Sequence, residues 1–317
     1  MERTVGQYRF LDRLGSGGLG EAFRARDTRL GRTVVVKCVP EETCRSEGTR
    51  ARLLTAAGAL KSLSHPHLAE LYEALEEHGQ LFVVSEYVEG ETLRQLVGGR
   101  PLNPRRAAEI AAQIAEALAQ AHAAGILHLD LRPDTILVTR KGQTKVLDMG
   151  LSDFTATGAR RRALAAGGAV PSMTPAAAGY MSPEQALGES EDARSDIFSL
   201  GVVFYEMLTG EAPFHEADAP TTVLSVLRKT PPPPSTRNPA VPRYFDAVVA
   251  RMISKSLHGR YDTAAAAGAA LRRLADRQVP SEVAAGPSSS RRRLWIVVVL
   301  LLIVVAAAVA VWQLGGT

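Results

Sequence analysis

The 317-residue chain is poor in cysteine and in net charge, and each shortage closes a route. Its two cysteines, Cys38 and Cys44, sit at no metal-ligand spacing. Two thiols make neither a disulfide framework nor a zinc cluster, so a reduced cytoplasmic compartment is the default. A formal net charge of only +4 creates no global demand for a nucleic-acid partner. Met1 to Gln7 is polar and lacks the apolar core of a secretory leader. No internal repeat is present. Charge is missing altogether from Leu294 to Trp312, 19 residues of mainly Val, Leu, Ile and Ala.

As a helix, that uncharged stretch would be roughly 28 Å long, close to the thickness of a bilayer's hydrocarbon core. Trp295 and Trp312 bracket it as interfacial aromatics, and Arg291 to Arg293 lie on its N-terminal side. The expectation is one C-terminal transmembrane helix over 294–312, with residues 1–293 in the cytoplasm, a short tail at 313–317, and the plasma membrane as location. Residues 276–293 are rich in Pro, Ser and Ala and form a juxtamembrane linker. A second basic run, Arg160 to Arg162, is expected to be solvated loop.

The apolar fraction of the whole chain, 46%, is enough for a full core. Strands are expected at Tyr8–Leu14, Ala22–Arg26, Thr33–Val39, Leu68–Glu73 and Gln80–Tyr87, around one helix at Thr49–Leu63. From Thr92 the pattern turns helical. Asn103-Pro104 opens a long Ala-rich helix to Ala124, and Asp196–Thr209 is strongly apolar. The fold class is α+β: a small β-rich lobe over about 8–90 and a larger helical lobe over about 91–275.

Gly15-Ser-Gly17-Gly-Leu-Gly20 lies between two strands, and a strand ends at Lys37. Glycines there let the backbone close over phosphates, while a strand-borne lysine supplies a fixed positive charge. His128-Leu-Asp130-Leu-Arg132-Pro-Asp134-Thr135 follows, then Asp148-Met-Gly150, then Ser182-Pro183-Glu184. In this order the motifs resemble those of the bacterial eukaryotic-like serine/threonine protein kinases over residues 8–275. The resemblance implies a two-lobed kinase fold with ATP and Mg²⁺ as cofactors. It implies a cleft formed by Gly15, Gly17, Gly20, Ala22 and Val35, with backbone groups of Glu86 and Val88 meeting adenine. Lys37 would hold phosphates, Asp130 would accept the substrate hydroxyl's proton, Arg132 would carry the catalytic loop's positive charge, and Asp148 would bind metal with Thr135. Glu184 would pair with Arg260, and Asp196 would hold the catalytic loop.

Several positions depart from that pattern. Ala56 stands where the family's helix carries a glutamate for the lysine, and Glu47 is too far along the helix to replace it. Without that pair, Lys37 is expected to be held less firmly or to lean on Asp148. Leu129 replaces an arginine, Arg132 a lysine, and Thr135 a metal-binding asparagine. Ala177 replaces a threonine, and Met149 replaces a phenylalanine. Ala22 and Val35 exchange a large and a small side chain, which conserves pocket volume. Ser85 is small where a bulky residue usually walls off the space behind adenine. Two readings therefore stay open, with the first preferred because Asp130 and Asp148 remain. One is a membrane-anchored kinase acting on a protein substrate in signalling. The other is a pseudokinase that docks or regulates a signalling partner. A purely structural tether has no feature of its own, and the sequence assigns no oligomeric state.

Overall fold

The computed structural model describes residues 3–44, 46–165 and 173–277. The segment expected to cross the membrane, 294–312, and most of the linker lie outside them. Among the described residues no helix is long and apolar enough to cross a membrane.

The small lobe is a six-stranded antiparallel sheet. In chain order it runs β1 (Thr4–Val5), β2 (Tyr8–Gly17), β3 (Gly20–Asp27), β4 (Arg32–Cys38), helix α1 (Glu47–Leu60), β5 (Leu71–Glu77) and β6 (Gln80–Glu86). The spatial order is β1-β2-β3-β4-β6-β5. Alternation along the strands sends Tyr8, Ala25, Val34, Val36 and Val84 to one buried face. The other face joins the main core through Leu81 and Val83, against Leu53 and Leu60 of α1. α1 starts earlier than the periodicity suggests because the Ser46 hydroxyl accepts from Thr49 N at 3.1 Å. It buries Leu53, Ala57 and Leu60, one stripe at i, i+4 and i+7. The strand expected at Leu68–Glu73 forms later, as β5. Leu68 makes only an isolated bridge to Val146.

The larger lobe opens with β7 (Gly90–Thr92), α2 (Leu93–Val97) and α3 (Pro104–Ala123), followed by β8 (Ile136–Thr139) and β9 (Thr144–Val146). Asn103 caps α3 by accepting from Arg105 N and Arg106 N, with Pro104 in the first turn. Next come α4 (Ala156–Ala165), α5 (Pro175–Ala178), α6 (Pro183–Leu187) and α7 (Ala193–Thr209). The chain continues through α8 (Ala219–Arg228), α9 (Pro234–Arg237), α10 (Tyr244–Met252) and α11 (Ala264–Asp276). α7 is buried on every side from Ser195 to Leu208, which makes it the axis of this lobe. α4 corrects the sequence reading. Arg160 to Arg162 ride on a helix packed in the molecule, and the Arg161 side chain is only 14% exposed.

Arg260, in the turn before α11, is fully buried and bidentate to Glu184, at 2.7 and 2.9 Å. Its remaining donors meet the carbonyls of Ser254, Arg194 and Lys255. Burial alone would raise the Glu184 carboxyl. The hydrogen bonds from Arg260 and Ser195 outweigh it and hold the group below the usual carboxylate range. Removing one partner of a buried pair strands the other charge, at a cost of about 3–5 kcal/mol. Arg260→Ala is therefore expected to lower unfolding stability by about that much, read by denaturant titration of the full chain. A loss of less than about 1 kcal/mol would show that Glu184 is solvated some other way.

Candidate active site

The cleft between the lobes has a volume of about 430 Å³. Its roof is the β2–β3 hairpin, where Gly15, Gly17 and Gly20 lie on or beside the turn. Gly20 has φ +98°, and a Cβ there would overlap the Cys38 carbonyl oxygen, so the hairpin can lie this close to β4 only with glycine. Antiparallel register sets Ala22 opposite Lys37 and Val35 opposite Ser85, and all four line the cleft. The large and small side chains exchanged in the sequence thus face one cavity. Glu86 and Val88 line its mouth. The Glu86 N–H donates to the Glu70 carbonyl at 2.8 Å, and its carboxylate accepts from Lys145 at 2.9 Å. Glu86 is thereby fixed as the hinge's anchor.

Lys37 bonds both oxygens of Asp148, with Nζ–Oδ2 at 2.6 Å. Ala56 offers α1 no carboxylate, and Glu47 is exposed at the helix's far end, so the lysine turns to Asp148. Asp148 itself sits in the left-handed region, at φ 58°.

The catalytic loop is held from below. Asp196 of α7, wholly buried, accepts from His128 N at 2.8 Å and Leu129 N at 2.7 Å, and His122 Nε2 lies 2.8 Å away. Burial pushes the Asp196 carboxyl up, yet its His122, His128 and backbone partners prevail and hold it low. These bonds fix Leu129 at φ 57°, a backbone position that a leucine does not take unaided. The Gln185 side chain adds a 2.8 Å bond to the Leu129 carbonyl. Arg94 of α2 bridges Glu206, Asp134 and the Tyr180 hydroxyl, at 2.6, 3.2 and 2.9 Å. Nothing in the sequence marked this cluster, whose members are spread from residue 94 to residue 206.

Asp130 does not line the open cavity. Its Oδ1 accepts from the Thr157 hydroxyl at 3.0 Å, a contact that a sequence separation of 27 hides from sequence reading. Burial raises the Asp130 carboxyl above its ordinary range, against the opposing pull of Arg132, His128 and Thr157. Arg132 Nε lies 3.9 Å from Asp130 and is buried without a hydrogen-bond partner. The Thr135 hydroxyl accepts from Arg132 N at 3.1 Å and donates to Arg132 O at 3.0 Å, so it is committed to its own loop.

These residues fit a nucleotide with one Mg²⁺. The unpartnered Arg132 Nε is a donor that a phosphate oxygen would satisfy. Mg²⁺ commonly takes one or two carboxylates plus substrate phosphates, and Asp148 supplies one. Among the described residues no three His, Cys, Asp or Glu side chains gather as an all-protein cage.

The protein kinase domain family model matches residues 8–269. The serine/threonine-protein kinase PknB of Mycolicibacterium smegmatis is 40% identical over 283 residues, covering 86% of this chain and 44% of its own length. The protein of the same name from Mycobacterium tuberculosis is 38% identical with the same coverage. The chain thus spans less than half the length of the curated relatives it matches. The crystal structure of the M. tuberculosis PknI kinase domain superposes with a TM-score of 0.69 at 21% identity, covering 87% of this chain and 98% of that one, a likeness of fold.

Behind Ser85 the cavity continues to Leu60, Leu63, Leu68 and Val83, so the gap left by the small side chain stays open. A purine analogue carrying a bulky apolar group on its inner edge is expected to bind the unmodified chain. Each buried methylene contributes about 0.8 kcal/mol. Ser85→Met should remove that binding and leave ATP affinity largely unchanged. Calorimetry on both proteins checks this, and equal affinity for the analogue would show that the space behind Ser85 is closed in solution.

Proposed function

The chain belongs to the protein kinase family, and on that premise we propose that it is a serine/threonine protein kinase that transfers the γ-phosphoryl group of ATP to protein hydroxyls in signalling. The observation that carries this reading is the arrangement around the cleft. The glycine-roofed cavity has Lys37 on Asp148 at its back and the unpartnered Arg132 donor in its lining, with Asp130 beside Arg132 just outside the open space. Asp130 takes the proton of the acceptor hydroxyl. Lys37 and Arg132 offset the charge of the phosphates, and the hairpin glycines exclude water above them. Mg²⁺, when bound, supplies charge neutralisation at the phosphates. The pseudokinase alternative rests on Ala56 and Thr135. The first of these losses is met by the contact of Lys37 with Asp148.

Phosphate transfer from radiolabelled ATP to an acceptor protein tests the reading. Asp130→Asn is expected to lower the rate at least a hundredfold, at the low end of general-base contributions. Only ionised Asp130 can accept a proton, and its carboxyl is raised in the fold. The wild-type rate should therefore be present at and above neutrality. It should fall on acidification, beginning at a higher pH than for an ordinary aspartate. Equal rates for wild type and Asp130→Asn would defeat the reading.

We further propose that residues 294–312 anchor the chain in the plasma membrane, with Arg291 to Arg293 and the kinase domain on the cytoplasmic side. Full-length protein should sediment with membranes and be released by detergent. Its recovery in a detergent-free high-speed supernatant would exclude the anchor.

A further inference from the structure

We propose that the outer face of α10 and α11 is a docking surface for an anionic phospholipid bilayer, with four arginines for the headgroup phosphates and an apolar groove beside them for the acyl region. This rests on the membrane anchor proposed above and adds which face of the kinase domain meets the lipid.

α10 buries Phe245, Val249 and Met252 and turns Arg243, Ala247, Ala250 and Arg251 outward. Those four fall within about 100° of the helix's circumference. On α11, Arg273 is exposed, and Arg277 lies four residues on, in the same row. Two tyrosines join the two rows. The Arg277 guanidinium lies 4.9 Å from the centre of the Tyr244 ring, and the Arg251 guanidinium 4.2 Å from that of Tyr261. The charge of Arg273 also reaches Tyr261.

All four arginines are exposed, and none forms an ion pair among the described residues. Nearby carboxylates are engaged elsewhere. Asp246 accepts from Ser235 N and its hydroxyl, at 2.9 and 2.5 Å, and Glu116 takes Arg272. Asp276, on the last turn of α11, bonds none of the four. Arg243 stands at the N-terminal end of α10, where the helix dipole disfavours a cation. Like charges gathered in this way repel one another, and an anionic surface relieves the repulsion.

A cavity of about 260 Å³ opens beside Ala247 and Ala250, lined by Pro232, Pro233, Pro234 and Ile253. The polar groups at its wall are already used, since the Tyr205 hydroxyl donates to the Pro232 carbonyl and Asp246 holds Ser235. The groove therefore suits an apolar group. A soluble anion would use the arginines alone, whereas a phospholipid carries a phosphate and an acyl chain in one molecule. The bilayer is also within reach. Residues 278–293 separate Arg277 from the anchor, and a flexible chain of that length averages about 20–24 Å end to end. Tethering makes weak contacts sufficient, and each arginine near an anionic leaflet favours the bound state about fivefold. None of the four arginines lines the cleft, so docking leaves it open while fixing the direction in which it faces.

The test places the full 317-residue chain in lipid nanodiscs of phosphatidylcholine alone, and of equal parts phosphatidylcholine and phosphatidylglycerol. Phenylglyoxal labels free arginine side chains, and mass spectrometry reads the rate at each. Arg243, Arg251, Arg273 and Arg277 should label about tenfold more slowly in the anionic discs. Exposed Arg29 of the small lobe should label equally in both. High salt should abolish the difference. In an Arg243→Gln/Arg277→Gln variant, the slowing at Arg251 and Arg273 should shrink to under about twofold. Ala250→Gln should reduce the slowing to about threefold, the loss of roughly one buried methylene. Every substituted residue is exposed, so the variants should fold, and thermal unfolding identifies any that does not. Equal labelling of the four arginines in the two discs would overturn the proposal. So would an equal slowing by a soluble DNA duplex added to neutral discs, which would mark a face for polyanions in general. Full slowing in Ala250→Gln would overturn the groove's part. Loss of the chain from both kinds of disc would refute the anchor instead, and the face is then read on that chain with preformed vesicles of the same two compositions.

Discussion

The carboxylate of Asp196 is the point on which the site depends. It lies on α7, the helix buried on every side, and it gathers two consecutive backbone N–H groups of the catalytic loop. A carboxylate that deep is tolerated because both of its oxygens accept hydrogen bonds, from His122, His128 N and Leu129 N. What it secures is a strained backbone, with Leu129 in the left-handed region. Asp130 follows immediately, so its placement derives from a packed helix and not from the loop's own preferences. Glu184 and Arg260 do the same for the far side of the large lobe, where a satisfied ion pair fixes α6 against the turn before α11.

Around that fixed loop, charges have been redistributed. With Ala56 in α1, Lys37 has no helix partner and is drawn onto Asp148, which holds the back of the cleft together across the two lobes. The segment after Asp148 coils into α4. That helix brings three consecutive arginines into the packed part of the molecule, where Asp153 and Glu191 receive them incompletely. A buried network with unfilled donors is a poor stabiliser and a good hinge point. The active-site region thus combines a rigid lower half, set by Asp196, with an upper half whose polar bonds are unfinished.

Most of the architecture was legible because it rests on local chemistry. Alternation along β2, β3 and β4 and the cap at Asn103-Pro104 are properties of neighbouring residues. The apolar run from Asp196 to Thr209 is another, and the observed elements agree with these patterns to within a few residues. Where bounds moved, a single contact explains it. The Ser46 hydroxyl starts α1 early, and Leu68 bridges to Val146 instead of joining β5. The order of glycines, Lys37 and Asp148 likewise pointed to residues that line the cleft, because each motif carries its chemistry within a few positions, whereas Asp130 lies outside the open space.

The sequence by itself determined which groups this protein can bring to a phosphate-binding cleft and which it has lost. Residue types at short spacing decide both. Only the tertiary structure decided how those groups are spent. Lys37 finds Asp148, Thr135 turns to its own loop, Arg94 gathers three partners distant in sequence, and Thr157 bonds Asp130. Arg160 to Arg162 carry a composition that suits solvent. They are half-buried because Gly158 permits a close approach and two acidic residues, Asp153 and the more distant Glu191, wait beside them. Such contacts depend on distances between elements, which packing around α7 sets and residue spacing along the chain does not encode.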